Sequence, residues 1–277
     1  MSQQTAPRQQ TTTGGRLTFL HVLRAEWTKL WSVRSTWWTL GILIVVVIGF
    51  SLIEAKGMKV MGGAGLVTGS KTTYASDPAM VTTAFGQLVM AILAVLTITG
   101  EFATGEIRTS LLAAPGRWRT LAAKALIVAA VAFVTTFLAT YISMLCDWPL
   151  VRSVVTVDDR FTLLGLRVMA GAGLAVALVA LTALGIGVLV RNTALSILIV
   201  VALTFVLAAI FQSVPVHWMQ TASNYIIGNS IDGIMAPKAE DSAANDVMSF
   251  GRSLWVSALW AFVPLLGGLV ALRRRDA

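Results

Sequence analysis

The run LRVMAGAGLAVALVALTALGIGVLV, Leu166 to Val190, is followed after only Arg191, Asn192 and Thr193 by ALSILIVVALTFVLAAIF, Ala194 to Phe211. These two stretches decide the fold. A bilayer's hydrocarbon core of roughly 30 Å takes about 20 apolar residues in helical form. The only charge in either stretch is Arg167, at the boundary of the first. Membrane β-strands would show segments of about ten residues alternating apolar and polar. These runs are continuous and far longer, so they read as helices. Working outward, four more runs have the same character: Trp37–Ile53, Val81–Thr99, Leu121–Cys146 and Leu254–Leu272. The expectation is an all-α, polytopic membrane protein with six transmembrane helices.

Composition agrees. Of 277 residues, 56% are hydrophobic and 12% charged, against roughly 25% charged in soluble domains. So few charges cannot cover that much apolar surface in water, which excludes both a soluble globule and a disordered chain. One cysteine, Cys146, permits no intrachain disulfide and no cysteine-based metal site, and two histidines, His21 and His217, permit no histidine cage. No metal and no cofactor is therefore expected in this chain. The first apolar run starts near Trp37, too late for a signal peptide, so the first span is expected to target the chain.

The net charge of +8 could suggest nucleic acid, but its distribution points to a membrane. With the N-terminus inside, segments 1–36, 100–124, 191–193 and 273–277 hold 13 of the 21 basic residues and four of the 13 acids. Inner loops of membrane proteins carry this excess of lysine and arginine. Both termini are expected in the cytoplasm, in the plasma membrane, and no nucleic-acid partner is expected.

Three kinds of segment are not spans. Residues 1–15, rich in Gln and Thr, read as a disordered tail. Residues 16–36 read as an interfacial helix: Leu20, Leu23, Trp27, Leu30 and Trp31 recur at helical spacing, ringed by Arg16, Arg24, Lys29 and Arg34. The remainder, 37–277, is the membrane domain. Within it the inner loop 100–120 contains TGEFATGEIRTSLLAAPGRWRT (Thr99–Thr120), where a short helix is expected from Glu101 to Ala114, stopped by Pro115-Gly116. Phe102, Ile107, Leu111 and Leu112 would seat it on the membrane, leaving a charged face for a docking partner. Loops 54–80, 147–165 and 213–253 fall outside. The last is too apolar over its first half to be a free loop and too interrupted to span, so a re-entrant pair of short helices is expected.

Enzyme motifs fail on inspection. GLVTGSKT (Gly65–Thr72) lacks the glycine that must precede the lysine of a phosphate-binding loop. Ser230 and His217 share one outer loop without a second motif for nucleophilic catalysis. The small residues of the fourth run, GAGLAVALVALTALGIG, suit close helix packing.

Together EWTKLWSVRS (Glu26–Ser35), six spans, and EFATGEIRTSLL (Glu101–Leu112) resemble the permease subunits of ABC-2-type transporters over about residues 16–275. The family pattern E-[FY]-x-x-G-T-I-R-x-x-L is met at Glu101, Phe102, Gly105, Ile107, Arg108 and Leu111, and departs at Glu106. The resemblance implies an elbow helix anchored by Glu26, Trp27, Lys29, Trp31 and Arg34. It implies a cytoplasmic coupling helix using Glu101, Phe102, Gly105, Glu106, Ile107 and Arg108. It further implies a separate ATPase subunit that binds ATP and magnesium, a second permease copy or homologue to form a dimer, and export of a hydrophobic or amphipathic substrate. The chain itself would be no enzyme. The rival readings are a membrane-embedded enzyme, which would need inward-facing ionisable groups within the spans, and a non-transport scaffold.

Overall fold

A computed structural model of the chain describes residues 18–60, 76–105, 117–152, 162–214, 216–235 and 248–275. Every regular element among them is helical: α1 (Phe19–Ser32), α2 (Arg34–Val60), α3 (Ser76–Thr104), α4 (Arg117–Val151), α5 (Leu163–Val190), α6 (Thr193–Ser213), α7 (His217–Ser223), α8 (Ile227–Ser230), α9 (Asp232–Met235) and α10 (Phe250–Arg275). Six of these, α2 to α6 and α10, are long and apolar enough to cross a membrane. They run alternately up and down, which brings α1 and the end of α10 to the same end of the bundle, the basal end.

Each expected span is present, and most are longer than the apolar run that announced them. Helix α4, at 35 residues, is ~52 Å long by the 1.5 Å helical rise, well beyond the core of a bilayer. The α5–α6 hairpin is tight because both helix ends are satisfied locally. Arg191 takes a left-handed conformation (φ 57°) and its N–H bonds the Gly187 carbonyl at 3.0 Å. Asn192 then caps α6, its side chain accepting from the Leu195 N–H at 3.0 Å. A π-helical turn, Ala202–Val206, interrupts α6 midway.

Helix α5 is the hub, packed on by α3, α4 and α10. Lipid tails are as apolar as leucine, so association inside a bilayer depends on close packing and hydrogen bonds rather than on escape from water. The small residues of α5 allow that closeness. A Cβ on Gly185 would lie 2.6 Å from the Leu265 N of α10, so the two backbones touch there. The segment α7–α9 closes the distal end. Ile227, Ile231 and Ile234 are fully buried, and the Ser230 hydroxyl meets the Ser257 hydroxyl of α10 at 2.9 Å. Gly228 sits so tightly on the π turn that a Cβ would collide with the Thr204 carbonyl oxygen.

The outer helices are mostly open. Under a third of the apolar window of α2, α6 or α10 is buried, against 78% of α5's. Ile42, Val45, Leu198, Ile210, Phe262 and Leu266 are exposed large apolar side chains, a surface far beyond what a soluble monomer carries. Exposed tryptophans lie at both ends: Trp37, Trp38 and Trp118 basally, Trp218 and Trp255 distally. Two such belts mark the interfaces of a membrane.

Candidate functional site

The basal end carries four charges in one network. Lys124 reaches from the second turn of α4 to Glu26 Oε2 on α1 at 2.7 Å and to Glu101 Oε1 on α3 at 3.0 Å. The same Glu101 oxygen accepts from Lys29 Nζ on α1. Glu26, Glu101 and Lys124 are less than 10% exposed, whereas the Lys29 side chain is 29% exposed. Burying four charges is expensive, and two cations facing two anions with shared hydrogen bonds is the arrangement that offsets the cost. Its topology matters more than its energy. Glu101 stands at the end of α3, before segment 106–116, and Lys124 at the start of α4, after it. Both are tied to α1.

The network joins two sets of residues that the sequence had assigned to separate tasks, Glu26 and Lys29 to anchoring and Glu101 to coupling. Lys124 was missed as a site residue. Its signal was available: a lysine inside the apolar run TLAAKALIV (Thr120–Val128) must find a partner or a polar cavity.

Helix α1 turns one face to the bundle and leaves another open. Glu26 and Leu30 are buried and Leu23 packs against the core, while Leu20 and Trp27 are exposed. Glu26 faces Lys124, and Leu20 and Trp27 of the apolar stripe lie at the surface, where an interfacial helix would meet lipid. α1 packs chiefly on α4 rather than on α2, which follows it in sequence. Three rings cover the junction at Val33: Trp31 lies 5.4 Å from Trp27 and 4.7 Å from Trp37 between centroids. Arg34 begins α2 and is exposed.

The expected helix from Glu101 to Ala114 is corrected at its start. Residues 101–104 form the last turn of α3, and Gly105 ends it in a left-handed conformation (φ 72°) that favours glycine. With its charge matched by two lysines, Glu101 is no obstacle to continuing the span. Phe102 packs beneath the Arg191 guanidinium, 4.9 Å from its ring centroid, and Thr193 bonds Thr99 at 2.8 Å, so the α5–α6 turn also rests on the end of α3. Glu106, Ile107 and Arg108 lie outside the described residues, as do the tail 1–15 and Pro115-Gly116.

Beside the network is a cavity of about 320 Å³ between α1, the start of α2, α3 and α4. The four charged residues close one end, and Leu30, Leu93, Leu96, Ile127 and Val128 form most of the remaining wall.

Two polar features occupy the other half of the molecule. Thr136, Thr140, Ser143 and Asp147 follow one face of α4 and are buried. Asp147 accepts from the Ser51 hydroxyl of α2, while its other oxygen, Ser143 Oγ, Thr136 Oγ1 and Gln87 Oε1 have no hydrogen-bond partner among the described residues. The third apolar run, Leu121–Cys146, stops just before Asp147, which the sequence places in a loop. The helix continues to Val151 and takes it inside. A second cavity, about 390 Å³, is lined by Gln212, Gln220, Ser223, Asn224, Asn229 and Asp232. Burial pushes the Asp232 carboxyl up to about 6. His217 is exposed, and the Ser230 hydroxyl is engaged by Ser257 and the Ile227 carbonyl. No group of His, Cys, Asp or Glu among the described residues is placed to hold a metal ion.

Fold and site together define an all-helical chain with six helices fit to cross a bilayer and a buried charge network at one end. In comparisons with protein families, curated proteins and solved structures, nothing matches it.

Proposed function

We propose that the chain is the membrane subunit of an ABC-2-type transporter, exporting a hydrophobic or amphipathic substrate. The energy would come from ATP hydrolysed, with magnesium, on a separate ATPase subunit. The observation that carries this reading is the tie between α1 and both helices flanking segment 106–116. A loop that only connects two spans needs no such bracing. A segment that receives mechanical work from a partner does, since force applied to it must reach the bundle without being lost at its feet.

In this reading the basal end is cytoplasmic, in the plasma membrane, and α1 is the elbow. Segment 106–116 docks on the ATPase through Glu106, Ile107 and Arg108. Closure of the ATPase pair pushes on α3 and α4 through Glu101, Lys124 and the Gly105 joint. Segment α7–α9, dipping among α5, α6 and α10, is the outer re-entrant element, and a second permease copy completes the pathway. Nucleotide drives the change because it binds one conformation of the assembly better than the other.

Co-expression with a candidate ABC ATPase, sought first in the neighbouring genes, tests the assignment. The pair is expected to co-purify, and Glu106→Arg and Arg108→Glu each to uncouple ATP hydrolysis from transport while the permease stays folded. Normal assembly and transport in both variants would remove the docking role.

A further inference from the structure

We propose that the basal cavity is a binding site for an anionic phospholipid, one acyl chain inserted between α1, α3 and α4 and the phosphate held at its rim by Lys29 and Arg34. The inference stands on the cavity itself and holds whether or not the chain is a transporter.

The cavity opens sideways. Val33 and Leu96 line it and are 47% and 44% exposed, at the level of the basal tryptophans, where a bilayer's headgroups lie. Its wall beyond the charges is mainly aliphatic, with Ser35, Thr36, Thr97 and Thr104 set among the apolar residues. At about 320 Å³ it falls at the small end of ligand pockets, roughly 300–1,000 Å³, which suits part of one chain rather than a whole lipid.

Charge selects the headgroup. The two carboxylates, Glu26 and Glu101, are buried behind Lys124, while Lys29 is the member of the network that reaches solvent. Arg34, exposed, lies between the lining residues Val33 and Ser35. A headgroup arriving at the rim therefore meets cations, the usual attraction of juxtamembrane basic residues for anionic lipid. Its phosphate competes with Glu101 for Lys29, so occupancy loosens one of the two ion pairs that hold α1.

The test uses the full chain, purified and stripped of lipid, with binding followed by native mass spectrometry. The probes are a short-chain phosphatidylglycerol, phosphatidylcholine with the same chains, and glycerol phosphate as the chainless headgroup. Phosphatidylglycerol is expected to bind at least about tenfold more tightly than phosphatidylcholine, the difference of one charged hydrogen bond, and glycerol phosphate not to be retained. Gly100→Leu fills the cavity without a clash, because a Cβ there meets nothing within 4 Å. It is expected to lose phosphatidylglycerol by at least about tenfold at an unchanged melting temperature. Lys29→Gln and, should that variant fold poorly, the exposed Arg34→Gln are expected to narrow the preference between the two lipids. Full affinity in Gly100→Leu, equal binding of both lipids, or retention of glycerol phosphate as tightly as lipid would each overturn the proposal.

Discussion

Lys124 has the largest consequence of any single residue. Its loss in Lys124→Met leaves Glu26 buried with no cation, and breaking a buried pair from one side costs about 3–5 kcal/mol. Lys29→Met removes a partly exposed partner and is expected to cost about 1 kcal/mol. The double variant Glu26→Leu/Lys124→Met should regain most of the loss, because Glu101 keeps Lys29 and an apolar pair replaces an ionic one. Thermal unfolding in detergent ranks the three. Asp232 gives a second residue-level prediction, with pH as the variable. Its carboxyl is raised from 3.8 to about 6 in the folded state, so the folded protein holds the proton more tightly than the unfolded chain. The stability this supplies is fully present below about pH 4 and is lost as pH rises through about 6, by at most about 3 kcal/mol. Asp232→Asn should flatten the melting temperature across that window; an unchanged pH profile would show that Asp232 is not the group responsible.

At the level of elements, the sequence was legible wherever a single local property decided the outcome. Uninterrupted hydrophobicity located all six long helices, and the Arg191-Asn192 punctuation located the hairpin. Helix ends were not legible, because they depend on distant partners. α3 runs through Glu101 because lysines from α1 and α4 wait there, and α4 runs through Asp147 because Ser51 of α2 bonds it. Which face of α1 meets the bundle is likewise set by a distant partner: Lys124 holds Glu26 inward, while Leu20 and Trp27 of the apolar stripe stay exposed. The π turn in α6 has no marker in its own residues. What it exposes to Gly228 is a backbone carbonyl, and the contact leaves no room for a side chain. Gly228→Ala is accordingly expected to lower the melting temperature by displacing α8 from α6, with a cost above the roughly 1–3 kcal/mol typical of overpacking. Hydrogen exchange should show the loss of protection confined first to α7–α9.

For the whole molecule, the question is which end faces which compartment. Thirteen of 21 basic residues fall on segments that an inward N-terminus places together, which predicts a basal end in the cytoplasm. Cysteine placed in a Cys146→Ala background reads this directly. An impermeant maleimide added to sealed right-side-out vesicles should label Lys59→Cys at the distal end of α2 at once. It should label Ala103→Cys, at the basal end of α3, only after permeabilisation. The reverse pattern would invert the topology and remove the docking role of the 106–116 segment with it.

One oxygen atom, Glu101 Oε1, serves both Lys29 and Lys124. Two ion pairs that share an acceptor are both lost when the acceptor moves. A shift of α3 that withdraws this atom breaks both bonds together, while Lys124 keeps its pair with Glu26. The joint is thus a clutch: the end of α3 lets go of α1 and α4 in one displacement, while α1 stays seated on α4 through Glu26 and Lys124.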